Sequence, residues 1–181
     1  MDEGIFNPDL YLERLERSII ESVPAPVAVI VSFPSNPTAQ VVSLGFYEEV
    51  VKIALKYNVY ILSDLAYAEI YYDNSPPPSI LQVNSAKEIA VEFTSMSKTF
   101  SMAGWRVGFA VGNKHLINAL TRIKSYLDYG AFTPVQVAGI EALNNGDDFV
   151  KEVCELYKIC LLYTSDAADD LLCVDLGGRR I

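Results

Sequence analysis

Apolar positions along the chain follow two periods. Between Asp9 and Ser22, Leu10, Leu15, Ile19 and Ile20 fall among charged residues at helical spacing, with an aspartate near the start, and predict a first helix. Val27-Ala28-Val29-Ile30-Val31 is a continuous, mostly β-branched run. A run without polar alternation predicts a strand buried on both faces, as in a parallel sheet. It stops at Pro34-Ser35-Asn36-Pro37-Thr38, a loop of turn formers. Ser43 is placed to cap a helix from about Leu44 to Tyr57, and Val59-Tyr60-Ile61-Leu62 predicts a second buried strand that ends at Ser63-Asp64. After a loop containing Asn74-Ser75-Pro76-Pro77-Pro78, Lys87 to Thr94 predicts a third strand running into Ser95-Met96-Ser97-Lys98. Arg106 to Gly112 predicts a fourth, and the chain from Lys114 onward is mostly helical in pattern. Alternating strands and helices imply an open α/β sheet, and no internal repeat interrupts them.

Three polar residues fall where such a sheet places function. Asn36, Asp64 and Lys98 each stand at the carboxyl end of a predicted strand, the edge at which open α/β sheets bind ligands. Any one alone reads as a turn residue, a cap or a solvated loop. Their joint placement in one crevice is the informative feature.

Composition narrows the chemistry. The 181 residues carry a net charge of −9 and a mean hydropathy of +0.21, with 51% hydrophobic residues, enough for a core. An acidic chain without a basic stripe argues against nucleic-acid or anionic-membrane partners. No apolar run approaches the roughly 20 residues of a spanning helix. The opening Met-Asp-Glu-Gly lacks the basic and apolar regions of a signal peptide, so a soluble, cytoplasmic protein is expected. Cys154, Cys160 and Cys173 have no metal-ligand spacing, and the lone histidine, His115, opens an amphipathic segment, so no metal site is expected.

The composition changes at Cys160. Cys160-Leu161-Leu162-Tyr163-Thr164-Ser165-Asp166-Ala167-Ala168-Asp169-Asp170 and Cys173-Val174-Asp175-Leu176-Gly177-Gly178-Arg179-Arg180-Ile181 resemble in-frame translations of a transposon-type sequencing adaptor and its downstream primer. Residues 160–181 are therefore expected to be a non-native tail, and residues 1–159 the genuine sequence.

Within 1–159, four blocks occur in order: Phe33-Pro34-Ser35-Asn36-Pro37-Thr38; Asp64-Leu65-Ala66-Tyr67; Ser95-Met96-Ser97-Lys98-Thr99-Phe100; and Ser101-Met102-Ala103-Gly104-Trp105-Arg106-Val107-Gly108. Together they resemble the fold-type I pyridoxal-phosphate aminotransferases, nearest the group of alanine (glutamate–pyruvate) and LL-diaminopimelate aminotransferases. Arg122-Ile123-Lys124-Ser125-Tyr126 and Tyr129-Gly130 lean toward the alanine branch.

The resemblance implies a mostly parallel sheet flanked by helices, a fragment of the large pyridoxal 5'-phosphate-binding domain. It implies that Lys98 holds the cofactor covalently and acts as the proton-moving base. Asp64 would pair with the pyridinium nitrogen, and Tyr67 and Asn36 would hydrogen-bond the phenolic oxygen. Ser95, Ser97 and Arg106 would bind the phosphate, with Gly104 easing a turn before Arg106 enters its strand. Trp105 and Phe109 read as packing residues, and Asn36-Pro37 as a candidate cis bond. The family is about twice this length, so the chain is expected to be a gene fragment. It would lack the phosphate-receiving helix, the aromatic that stacks on the ring and the arginine that clamps the substrate carboxylate. The implied activity is amino transfer between an amino acid and a 2-oxo acid, by a homodimer when full length, with Tyr126 and Tyr129 as candidates to face the partner. Lyases on the same fold and aminotransferase-like regulators are the remaining alternatives.

Overall fold

The computed structural model describes residues 6–169, with side chains described through residue 162. Seven helices and four strands alternate at first: α1 (Pro8–Glu21), β1 (Ala28–Ser32), α2 (Leu44–Tyr57), β2 (Tyr60–Asp64), α3 (Ala86–Ile89), β3 (Ala90–Ser95), α4 (Met96–Thr99) and β4 (Gly108–Gly112). Three helices follow, α5 (Lys114–Leu127), α6 (Thr133–Asn145) and α7 (Asp147–Asp169). The strands form one sheet in the order β1-β2-β3-β4, the first three parallel and β4 antiparallel to β3.

Local chemistry sets the helix ends. Asn7 Oδ1 accepts the Leu10 N–H at 3.0 Å, and Pro8 takes the first helical position, where its missing N–H costs nothing. Ser43 Oγ accepts the Phe46 N–H at 3.2 Å, so the α2 cap stands where the pattern placed it. At the other end Asn58 turns left-handed (φ 53°), and the Val59 N–H reaches back to the Ala54 carbonyl, delivering the chain into β2. Asn113 Oδ1 accepts from the N–H groups of His115 and Leu116, which leaves His115 on the exposed first turn of α5.

The core lies on one face of the sheet. Val31, Ile61 and Ala90 pack with Phe46, Tyr47 and Val50 of α2 in one buried cluster, closed by partly buried Phe6, Tyr11 and Leu15. The aromatic rings of Phe6, Tyr11, Phe33 and Phe46 meet edge-on or tilted with centroids 5.4–5.9 Å apart, the geometry their quadrupoles favour.

The opposite face departs from expectation. Val31 is fully buried, but Ile30, pointing the other way, is 71% exposed, so β1 is covered on one side only among the described residues. The predicted third strand also divides. Ser85 adopts φ 65°, and residues 86–89 wind into the single turn α3, which buries Ala86 and Ile89 before β3 starts at Ala90. The fourth strand begins two residues later than predicted. Arg106 ends a 3-10 turn (Ala103–Trp105) in the left-handed region (φ 53°), a bend that swings Gly108 alongside Ser95. Gly104 has neither positive φ nor any crowding neighbour, so the close-approach role expected of it falls to Gly108. Trp105 and Phe109 are 59% and 42% exposed and pack little. Helix α7 runs unbroken past Cys160, while residues 170–181 of the expected tail lie outside the described residues. Among the described residues no helix is long and apolar enough to cross a membrane, and no cluster of metal-ligating side chains occurs.

A methyl added at Gly108 would stand 2.6 Å from the Thr94 carbonyl oxygen, whereas one at Gly104 meets nothing within 4 Å. In the full-length protein Gly108→Ala is expected to destabilise by about 1–3 kcal/mol. Gly104→Ala should stay within about 0.5 kcal/mol of wild type. Denaturant midpoints compare the two.

Candidate active site

β1 and β2 end level, with Ser32 paired to Asp64, while β3 runs two residues beyond Phe93, the partner of Asp64, so the segments that leave the three strands rise from one edge of the sheet. Asn36 lies four residues past β1, Asp64 is the last residue of β2, and Lys98 lies in α4, which follows β3 directly.

Three expected site residues meet there. The Asn36 side-chain amide donates to the Tyr67 hydroxyl at 3.3 Å. Lys98 Nζ stands 5.6 Å from the centroid of the Tyr67 ring, a cation over an aromatic face. A phenol and a carboxamide from two loops and a primary amine from α4 thus share one spot. The Asn36-Pro37 peptide is cis, as are Val23-Pro24 and Phe33-Pro34. Beside the pair opens a cleft of about 780 Å³ between the 34–43 loop and the 67–77 loop, with Tyr71, Asp73 and Pro77 on its far wall.

Asp64 faces a second, shallower hollow of about 370 Å³, with Ile30, Leu62, Ala66, Phe93 and Ser95. Its carboxylate accepts the Ala66 N–H at 3.2 Å and is otherwise exposed. An acid at the edge of an apolar floor suits a flat heteroaromatic ring with one basic nitrogen. Nothing in the sequence marks Ala66 as a floor residue, because a small apolar side chain carries no chemical signal of its own.

The proposed phosphate ligands are less closely grouped. Ser95 Oγ caps α4 by accepting the Ser97 N–H at 3.2 Å, which leaves its own hydroxyl proton available. Arg106 is exposed and donates through Nη1 to the Ala103 carbonyl at 2.9 Å, turned back on its own 3-10 turn. The structure therefore unites Asn36, Tyr67 and Lys98, sets Asp64 and Ser95 in the adjoining hollow, and leaves the Arg106 guanidinium on a local contact.

A mostly parallel sheet with a lysine, an acid and a phenol–amide pair near the carboxyl ends of its parallel strands is the arrangement of a ligand-binding α/β domain. Comparison with known proteins narrows that class. The profile of aminotransferases class I and II matches residues 7–160, and the chain belongs to this pyridoxal-phosphate family. It is 55% identical over 148 residues to the glutamate-pyruvate aminotransferase AlaC of Escherichia coli (strain K12), covering 82% of this chain and 36% of that one. It is 51% identical over 131 residues to an LL-diaminopimelate aminotransferase of Nitratidesulfovibrio vulgaris (strain DP4), covering 72% and 34%. Among solved structures, aspartate aminotransferase from Thermus thermophilus with maleate superposes with a TM-score of 0.74 at 30% identity, covering 85% of this chain and 38% of that one. The chain spans little more than a third of the length of the relatives it matches.

Among the described residues the Tyr67 hydroxyl makes one hydrogen bond, at 3.3 Å, to an exposed asparagine. A single solvent-facing hydrogen bond adds little stability, so Tyr67→Phe should leave the melting temperature of the full-length protein within about 2 °C of wild type. Calorimetry checks this.

Proposed function

We propose that the protein to which this chain belongs moves an amino group between an amino acid and a 2-oxo acid, with glutamate and pyruvate as its pair. The observation that carries the reading is the convergence of Lys98, Tyr67 and Asn36 on one rim position. LL-diaminopimelate is the second reading, favoured by the 51% identity to an enzyme of that name.

The residues present fit pyridoxal phosphate in kind: an amine to bond its aldehyde, an acid for its ring nitrogen, a phenol–amide pair for its phenolic oxygen, and an apolar floor. When bound, the group supplies an electron sink for the carbanion left when a substrate Cα–H is broken. Lys98 would hold it and, when freed, its amine would move the proton from the substrate Cα to the cofactor carbon that had carried the aldehyde. Asp64 would keep the ring nitrogen protonated by standing next to it as an anion. Tyr67 and Asn36 would donate to the phenolate oxygen and stabilise its charge. Ser95, Ser97 and Arg106 would receive the phosphate, which requires the Arg106 side chain to leave the Ala103 carbonyl.

The same reading covers the rest of the molecule. The family match ends at residue 160, which supports taking 160–181 as a non-native tail on a partial large domain at 1–159. Tyr126, Leu127, Tyr129 and Phe132 are 73–97% exposed around the α5–α6 connection, a surface suited to a second copy in a homodimer. A cytoplasmic location is part of the same reading.

The test is the completed gene. Purified full-length protein should convert pyruvate with glutamate as donor faster than 2-oxo acids of other size, and Tyr67→Phe should lower its turnover by roughly tenfold or more. Absence of transamination with every amino donor tried would reject the reading. The 181-residue chain alone should show no turnover.

A further inference from the structure

The far side of the sheet holds a charged group the proposed chemistry does not use. Glu92 lies in the middle of β3, 5% exposed, with its side chain on the packed face. A buried carboxylate is costly unless donors surround it. Glu92 has three. Oε1 accepts from Ser79 Oγ at 2.7 Å, and Oε2 accepts from the Ile80 N–H at 3.1 Å and, more loosely, from Ser63 Oγ at 3.4 Å. From α2 the fully buried Tyr47 phenol faces the same cluster. Burial and then the Glu92 charge push its pKa up, while nearby Ser63 pulls weakly the other way without reaching hydrogen-bond geometry.

The donors identify what the carboxylate grips. Ser79 and Ile80 end the long excursion that leaves β2 after Asp64, carries Tyr67 across the rim and returns to the sheet. Ile80 is fully buried and opens a 3-10 turn. In that turn the Leu81 N–H takes Ser79 Oγ, the Gln82 N–H takes the Ser79 carbonyl, and Glu92 supplies the acceptor for the Ile80 N–H. At the start of the excursion, the Leu65 N–H donates to the carbonyl of Phe93 at 2.8 Å. Two adjacent residues of β3 therefore clasp both ends of residues 65–80. The stretch between crosses exposed ground at Glu69 and at 73–76. Ser63, the third donor, immediately precedes Asp64.

We propose that Glu92 is a positioning residue of the active site: from the packed face it fixes the returning end of the 65–80 excursion, and through that excursion the place of Tyr67 against Asn36 and Lys98. An apolar side chain could fill the same volume but could not accept from Ile80 and Ser79. The proposal rests on the function proposed above, because Tyr67 matters only if a ligand's oxygen meets it.

Two substitutions in the full-length protein test it, neither touching the rim. Glu92→Leu keeps much of the volume and removes both acceptors, leaving the Ile80 N–H and the Ser79 hydroxyl without their partner. Ser79→Ala removes one donor and remains usable if Glu92→Leu does not fold. The first readout is hydrogen exchange without cofactor: amides in 66–78 should exchange roughly tenfold faster than wild type, while those of α2 stay protected. The second is the pH at which the visible band of lysine-bound pyridoxal phosphate shifts. With Tyr67 loosened from the phenolate, that midpoint should rise by about half a pH unit. Faster exchange with the shifted midpoint supports the assignment. Unchanged exchange overturns it, and so does faster exchange with an unmoved midpoint, since Glu92 would then serve packing alone. A wild-type protein that takes up no pyridoxal phosphate rejects the proposed function instead, and the exchange result then decides this one.

Discussion

The parallel pairing of β1, β2 and β3 is the constraint on which the rest hangs. In that register Ser32, Asp64 and Phe93 stand side by side, so β1 and β2 end together and β3 ends two residues further on, at the same edge of the sheet. Asn36 and Tyr67 are 31 residues apart in sequence yet within hydrogen-bond reach, because each sits a few residues past a level strand end. Lys98 reaches the same place since β3 hands directly to a one-turn helix capped by the preceding serine. Slip any strand by one residue and its inward and outward side chains exchange faces, which would turn its core residues toward solvent.

The two faces of the sheet do different work. One is closed by α1 and α2 over an apolar cluster, and it holds Glu92 with its full set of donors. The other is open at β1, with Ile30 exposed next to the hollow that contains Asp64. Family relatives more than twice as long have ample chain to cover such a face. Chemistry concentrates at the boundary between a rigid packed layer and an open apolar floor, where polar groups stay accessible while their backbones are held.

Much of this was legible in the residues. Ser43 and the apolar spacing behind it define α2 to the residue, since a cap and a buried stripe both act locally. The strand-end positions of Asn36, Asp64 and Lys98 follow from short buried runs ending in turn formers. The family motif adds Tyr67, which no spacing argument reaches. What local pattern could not show was tertiary. Residues 87–89 look like the start of a strand, but the left-handed turn at Ser85 winds them into α3. Arg106 reads as a strand residue because Val107 to Val111 is apolar, yet antiparallel docking of Gly108 against Ser95 needs a bend just before it. The clasp by Glu92 was invisible because its donors lie 12 to 29 residues away.

The central claim is that the rim amine of Lys98 is the group that bonds the cofactor. Soaking the full-length protein in pyridoxal phosphate, reducing with borohydride and mapping peptides tests it most directly. The account predicts a single stable label on Lys98, lost in Lys98→Ala. A label on another lysine, or a reduced protein carrying none, would contradict it.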